Sequence, residues 1–507
     1  MKRRNLLRNI LIFIFAFIFG YTVKKEGENM LLQRGDSALV KGKDGELIAT
    51  EIKLLTDKIG DNPQSGTEKN SIWTELIRRE VNPEWFGAVG DGVTDNTSAY
   101  TAALDYLSSV GGGKLLFPSG VWRGALMLGF NLNTSVMKKH DNITIEGVGK
   151  DTILTLDAGD QSLGGELIAL RGQSVSKKLK GITLRNLRIK NKESNLNPGN
   201  GIGVTKTENI LIENVVIENC TNYGITIESE NENVTLQNVI SISNAKSGIA
   251  LTSSSTRRVR VINVTCEKNS EHGIYISNHS GTSIEELLII APICRNNLKT
   301  GIWGSHFDHS QIIGGVISNN LKEGIFLQNQ KGSKLTSITV QNNGFEGIRL
   351  SNCEGTSIIG ADISDNAGVG TNKVGIRIHN LSKNCMVIGS TIKNVNTSNQ
   401  INAINVNADG CVFENNDLKG NGGTDVVIGT GFATRINGYY YTSDISGSVP
   451  IQDNVRKFQG ASPPKSGSFK RGDIVENLSP SAGGFSGWIC ISDGTPGKWK
   501  GYGLIQE

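Results

Sequence analysis

The chain has 507 residues, 62 of them glycine and 10 proline, with 37% hydrophobic and 20% charged side chains. This composition argues against an ordinary helical enzyme and for a glycine-punctuated β protein. The net charge of +4 comes wholly from the first 29 residues, where Lys2, Arg3, Arg4, Arg8, Lys24 and Lys25 outweigh Glu26 and Glu28; the neutral remainder has no overall field for a polyanion, so nucleic acid is not expected and any anionic partner must meet a local patch.

Residues 1–29 read as a leader. The apolar run ILIFIFAFIFGY at 10–21 follows a basic cluster, the order of a secretory signal, and is shorter than the roughly 20 residues of a membrane span. No Ala-x-Ala site follows it, so an uncleaved membrane anchor stays open beside a secreted or cell-surface protein. Met30 offers a second, soluble start. Residues 30–80 are assigned to attachment or linkage, with a short helix expected around 47–59.

Residues 81–122 contain FGAVGDGVTDNTSAYTAAL followed by GGGKLLFPSGVW. Glycines 87, 90 and 92 set tight turns, Asp95 or Thr94 caps a helix running to about residue 109, and Gly111 to Gly113 end it. That helix is expected to close the open apolar end of the repeats that follow.

A Gly-Ile pair recurs at Gly201, Gly224, Gly248, Gly273, Gly301, Gly324, Gly347 and Gly375, with Ala403-Ile404 as a degenerate ninth, at intervals of 23 to 28 residues. Residues alternate after each pair (GITI, GIYI, GIFL, GIRL), the signature of a short strand with one buried face. An Asn column is expected at Asn219, Asn244, Asn269, Asn297, Asn319, Asn342, Asn366, Asn394 and Asn421. Units this small bury their apolar faces only by stacking, which predicts an all-β right-handed parallel β-helix over 81–435, preceded by its capping helix and followed by a small C-terminal β module over 436–507. Seven cysteines, mostly one per repeat and without CxxC spacing, read as buried core residues; Cys266 and Cys294 are aligned with Ile242, Ile317 and Val340. The Arg-Gly-Asp triplets at 34–36 and 471–473 read as turns.

Stacking converts sequence columns into stripes about 4.8 Å apart per residue. Two positions after each glycine the column reads Gly203, Thr226, Ala250, Tyr275, Trp303, Phe326, Arg349, Arg377. Tyr275, Trp303 and Phe326 are expected to offer flat faces to a pyranose, and Arg349 and Arg377 to pair with carboxylates or phosphates. One position before each glycine stand Tyr223, Ser247, His272, Thr300, Glu323, Glu346 and Val374. Glu323 and Glu346 are candidate catalytic acids near the roughly 5 Å separation of retaining glycosidases, with Lys322 as their possible neutraliser. The turn Ser305-His306-Phe307-Asp308-His309 adds His306 and Asp308 as further catalytic candidates or a solvated loop. No metal centre is assigned. Glu228 and Glu230 are compatible with Ca²⁺ but too sparse to define a site.

The motifs at 81–122 and the repeats resemble the pectate-lyase-like parallel β-helix superfamily, over about residues 81–430. Many relatives carry two aspartates where this chain has Asp95-Asn96. The tail (GYYYTSDISGSVPIQDNVRKFQGASPP, then a stretch ending GWICISDGTPGKWKGYGLIQE) resembles the C-terminal module of phage or prophage tailspikes and pre-neck appendages of Gram-positive hosts. The resemblance implies a homotrimer acting on a bacterial surface polysaccharide: wall teichoic acid, capsule or a uronate glycan. Three readings stay open: a hydrolase using the carboxyl pair or a lyase using Arg349, Arg377 or His379; a glycan-binding adhesin; and a structural rod.

Overall fold

The computed structural model describes residues 79–436 except 133, 157–164, 192–198, 253–254, 278–283, 370–373, 396–399, 419, 422–424 and 430–432, together with strands at 22–26, 29–33 and 439–442 and residues 457–507. The apolar leader and the helix expected at 47–59 lie outside the described residues. The strands Thr22–Glu26 and Asn29–Gln33 pair antiparallel.

From Leu126 onward the chain winds as a parallel β-solenoid. A full turn carries three short strands, such as Ile274–Ser277, Leu288–Ile290 and Ile293–Arg295, and each pairs in parallel with its equivalent one turn later, Ile302–Ser305, Gln311–Ile313 and Val316–Ser318. The strands that follow the repeated glycines form a thirteen-stranded sheet, parallel throughout except for the edge strand Val136–Met137. The isoleucines after the glycines stack in register inside the solenoid, from Ile202 through Ile225, Ile249, Ile274, Ile302, Ile325, Ile348 and Ile376 to Ile404, all fully buried. Each contributes about 1.5–3 kcal/mol relative to exposure, which fixes the period.

Space dictates the glycine column. A Cβ on Gly301 would lie 2.7 Å from the Gly324 carbonyl and 2.8 Å from the Asn320 amide. At Gly375 the corresponding gaps, to the Ala403 carbonyl and the Gln400 amide, widen to 3.0 and 3.1 Å. The column tolerates alanine one turn later, at 403.

The amide ladder differs from the expected Asn column by one residue at several turns. It runs Asn244, Asn269, Asn297, Asn320, Asn343, Asn366, with side-chain links of 2.9–3.0 Å between successive members, and continues to Asn421 through Gln400, which takes the place expected for Asn394. Asn219, Asn319 and Asn342 instead occupy left-handed corner positions with φ of 54–58°, where Asn is tolerated because its short polar side chain bonds locally. Cys220 takes the ladder place of the first turn, its N–H donating to Asn244. All seven cysteines are free and buried, but Cys266 pairs with Ser241 rather than Ile242 before it meets Cys294 and Ile317.

Upstream, helix α1 (Thr97–Ser109) packs Tyr100, Ala103, Leu104 and Leu107 into the core. Asp95 accepts from the Thr97 N–H and hydroxyl, at 3.0 and 2.7 Å. Asn96 is buried and binds the Val89 N–H while donating to the carbonyls of Val89 and Arg123; an ionised aspartate there has no proton to donate to either carbonyl. Downstream, Lys457–Gly460, Ile474–Asn477, Phe485–Ser492 and Lys498–Leu504 form a separate four-stranded sheet over Phe458, Phe469, Val475 and Cys490. Arg471 and Asp473 lie in a turn, where Asp473 accepts from the Lys470 N–H.

Candidate functional site on the outer face of the first sheet

Gly203, Thr226, Ala250, Tyr275, Trp303, Phe326, Arg349 and Arg377 pair rung by rung, so the stripe exists in the expected register. Its rings, however, are turned onto one another. Tyr275 stacks on Trp303 at 4.9 Å between centroids and 17° between planes. Phe326 meets Trp303 edge-on at 6.3 Å, and the Arg349 guanidinium lies 4.5 Å over Phe326. Neighbouring rungs are only about 4.8 Å apart, so adjacent rings satisfy their faces mutually. The stripe is therefore a half-buried aromatic ladder capped by a cation, rather than a row of separately displayed faces.

Several of the residues one place before the glycines lean over this ladder and reach the stripe residue of the next turn. Asn200 donates to the Thr226 hydroxyl at 3.4 Å, His272 lies 6.0 Å from Trp303, and a Cβ on Gly203 would strike Glu166, 2.5 Å from its Cγ. Glu323 pairs with Arg349 at 3.1 Å and Glu346 with Arg377 at 3.2 Å. The two carboxylates are thus neighbours, but each is buried and neutralised by an arginine of the stripe rather than by Lys322. Each arginine has in turn given one edge of its fork to the protein. Breaking such a pair strands a buried charge, at about 3–5 kcal/mol.

Arg349 also donates its Nε to His379 Nε2 at 3.0 Å. Burial first, then Arg349 and Arg377, lower the His379 pKa to about 4, so the ring is neutral at pH 7. His272 falls to about 4 as well, mainly through burial and then Lys299, and its Nδ1 accepts from the Thr300 N–H at 3.3 Å. Thr300 donates to Glu323 at 3.0 Å, so a polar chain runs from His379 through Arg349, Glu323 and Thr300 to His272.

The His306 turn does not reach this constellation through the contacts its side chains make. Phe307 is fully buried, driving the turn inward and filling the space above Gly304. Asp308 accepts from the Lys331 N–H at 2.8 Å, and His306 Nδ1 meets the Ser305 hydroxyl at 2.7 Å. The solvated loop expected from its polarity is a turn anchored by its own phenylalanine. Glu228 accepts from Thr205 at 3.1 Å, and Glu230 lies 3.9 Å from Lys206. Among the described residues no group of three or more His, Cys, Asp or Glu side chains is placed to hold a metal ion.

A search for Gly-Ile pairs misses the rung Glu166–Arg171, because Leu167 stands where later turns have glycine. Register places Glu166 beside Asn200 and Ile168 beside Ile202. Glu166 therefore belongs to the same column as Glu323 and Glu346, and the unbroken apolar run LIAL after it carries no alternation to mark the rung.

Residues 129–289 and 255–418, together more than half of the chain, match the family described as a right handed beta helix region. The chain belongs to the right-handed β-helix family. Alginate lyase 7 of Azotobacter vinelandii is 28% identical over 181 residues, which are 33% of this β-helix protein and 20% of that relative. The A-module of mannuronan C-5 epimerase AlgE4 from the same organism superposes with a TM-score of 0.60 at 20% identity, covering 72% of this chain and all of that one. The Dettilon tailspike protein gives 0.56 at 16% identity, over 69% of this chain and 68% of that one. The two structural likenesses establish the fold that the three-strand turns already display, and the alginate lyase match spans only a fifth of that relative.

Proposed function

We propose that the outer face of the first sheet binds an anionic bacterial surface polysaccharide, with the polymer lying along the solenoid axis, and that the protein is a depolymerase of that polymer. One observation carries the reading: three aromatic rings and two arginines occupy five successive rungs of one face in register. Lys246, Lys299 and Lys322, two places before the glycines, edge the same face. Lys299 is bonded to Glu271 at 2.7 Å and Lys246 sits 5.0 Å over Tyr223. Apolar ring edges beside fixed cations suit sugars that carry carboxylates or phosphates. The alginate lyase and mannuronan epimerase likenesses and the tailspike fold support a glycan ligand. In this reading α1 closes the lower end of the solenoid, and the C-terminal sheet is an accessory module of a homotrimeric, surface-attached or virion-borne spike.

Incubation with polyuronates, capsule and Gram-positive wall teichoic acid tests the proposal. Binding that weakens with salt is expected, together with new reducing ends; added absorbance of unsaturated uronate identifies a lyase. Absence of binding to every acidic polymer refutes it. A non-cleaving adhesin is the second reading, favoured by the one-to-one pairing of Glu323 and Glu346 with arginines.

A further inference from the structure

At the lower end of the same face lies a second polar cluster with a different charge balance. Glu166 and Arg171 face outward from one strand, and Arg171 Nη2 donates to Glu166 Oε2 at 2.9 Å. Gly203, lacking a side chain, leaves the room that Glu166 fills. Glu228, two rungs on from Arg171 and half-buried, is held by the Thr205 hydroxyl, while Arg171 pairs in register with Thr205. The charged groups facing Glu166 are Arg171 and Glu228. Arg171 is 8% exposed, yet its Nη1 has no protein partner. Arg171 thus pairs with Glu166, whose other charged neighbour is Glu228, and keeps a spare buried donor; Glu323 and Glu346 are each paired with an arginine.

We propose that Glu166, Arg171 and Glu228 form a proton-transfer centre that hydrolyses a glycosidic bond of the polymer on this face. The inference rests on the reading that the face binds a glycan. Glu166 gives its proton to the glycosidic oxygen as the bond from that oxygen to the anomeric carbon breaks. A water oxygen forms the new bond to that carbon and passes its proton to Glu228, and solvent returns a proton from Glu228 to Glu166. Arg171 Nη1 donates to an oxygen of the bound sugar. The two carboxyls differ in environment as an acid and a base must: burial first, with the Glu228 charge adding and Arg171 opposing, raises Glu166 to about 7, so near neutrality it still carries a proton.

The test measures reducing ends and equilibrium binding on polymannuronate, polygalacturonate and purified capsule for the wild type, Glu166→Gln and Glu228→Gln. Turnover should fall at least a hundredfold in either variant, the order expected of acid–base groups, with dissociation constants within twofold of wild type. Wild-type turnover should decline above pH 7. If Glu166→Gln does not fold, Glu228→Gln at its half-exposed position carries the test. Retention of more than a tenth of the activity in a folded variant overturns the proposal. So does a wild type that binds without releasing reducing ends, which leaves the binding reading intact; a wild type that binds none of the polymers removes both.

Discussion

Replacing Asn320 by alanine should destabilise the solenoid locally far more than replacing its neighbour Asn319. Asn320 accepts from the Asn297 N–H and side-chain amide at 3.1 and 2.9 Å, and donates to the Cys294 carbonyl and Asn343 Oδ1 at 3.0 and 2.9 Å. Its loss orphans the Asn297 N–H, a buried donor worth about 1–3 kcal/mol, and removes a bond of roughly 0.5–1 kcal/mol from each of the other three groups. The sum is about 4 kcal/mol. Asn319 is exposed at φ 55°, and alanine there costs about 1–2 kcal/mol of left-handed strain. Because a solenoid need not unfold in one step, hydrogen exchange of the segment 293–305 is the suitable assay. Asn320→Ala should accelerate it roughly a thousandfold, at about 1.4 kcal/mol per tenfold, and Asn319→Ala by little more than tenfold. Equal acceleration would refute the claim that the inner amide ladder, rather than the corner asparagine, holds the turns together.

Trp303→Ala should weaken binding of an acidic polysaccharide more than tenfold while circular dichroism stays unchanged; unaltered affinity in titration calorimetry removes the ladder from the site. Arg349→Ala should lower stability by about 3 kcal/mol, because it strands the buried Glu323 carboxylate, and adding Glu323→Gln should restore most of that in denaturant titration. Glu166, with its pKa raised from 4.5 to about 7, binds a proton more tightly folded than unfolded, so its contribution is present below pH 4.5 and lost as pH rises through 7, by up to about 3 kcal/mol. His272 and His379, both lowered to about 4, act oppositely, losing stability as pH falls from 6.5 towards 4. The readout is therefore the wild-type minus Glu166→Gln difference, which should decline between pH 4.5 and 7; a flat difference contradicts the assignment. Gly324→Ala puts a Cβ 2.7 Å from the Gly347 carbonyl and 2.4 Å from Val340 Cγ1, so its melting temperature should fall, whereas Gly314→Ala, with φ of 64° and nothing near its Cβ, should show only the smaller cost of backbone strain.

The spacing of Gly-Ile pairs and the alternation after them determined the solenoid, its turn length and the register of the aromatic and arginine stripe, because a period-2 strand buries one fixed face and equivalent strands stack only in register. Length and composition likewise decided against a helical protein. Asn319-Asn320 and Asn342-Asn343 show the limit. Two adjacent asparagines fill opposite roles, one a left-handed corner and one an interior rung, and only backbone curvature distinguishes them. Ring orientation was not legible either: Tyr275 and Trp303 are 28 positions apart, and whether they offer faces to solvent or to each other depends on the height of a single turn. Lys322 lies beside Glu323 in sequence, yet the arginines one turn on, across the sheet, take both carboxylates. Glu166 escaped because its rung lacks the glycine that marks the others; tertiary register alone returned it to the column, where burial and the nearby Glu228 charge, against the opposing Arg171, give it a proton affinity that its amino-acid type does not specify.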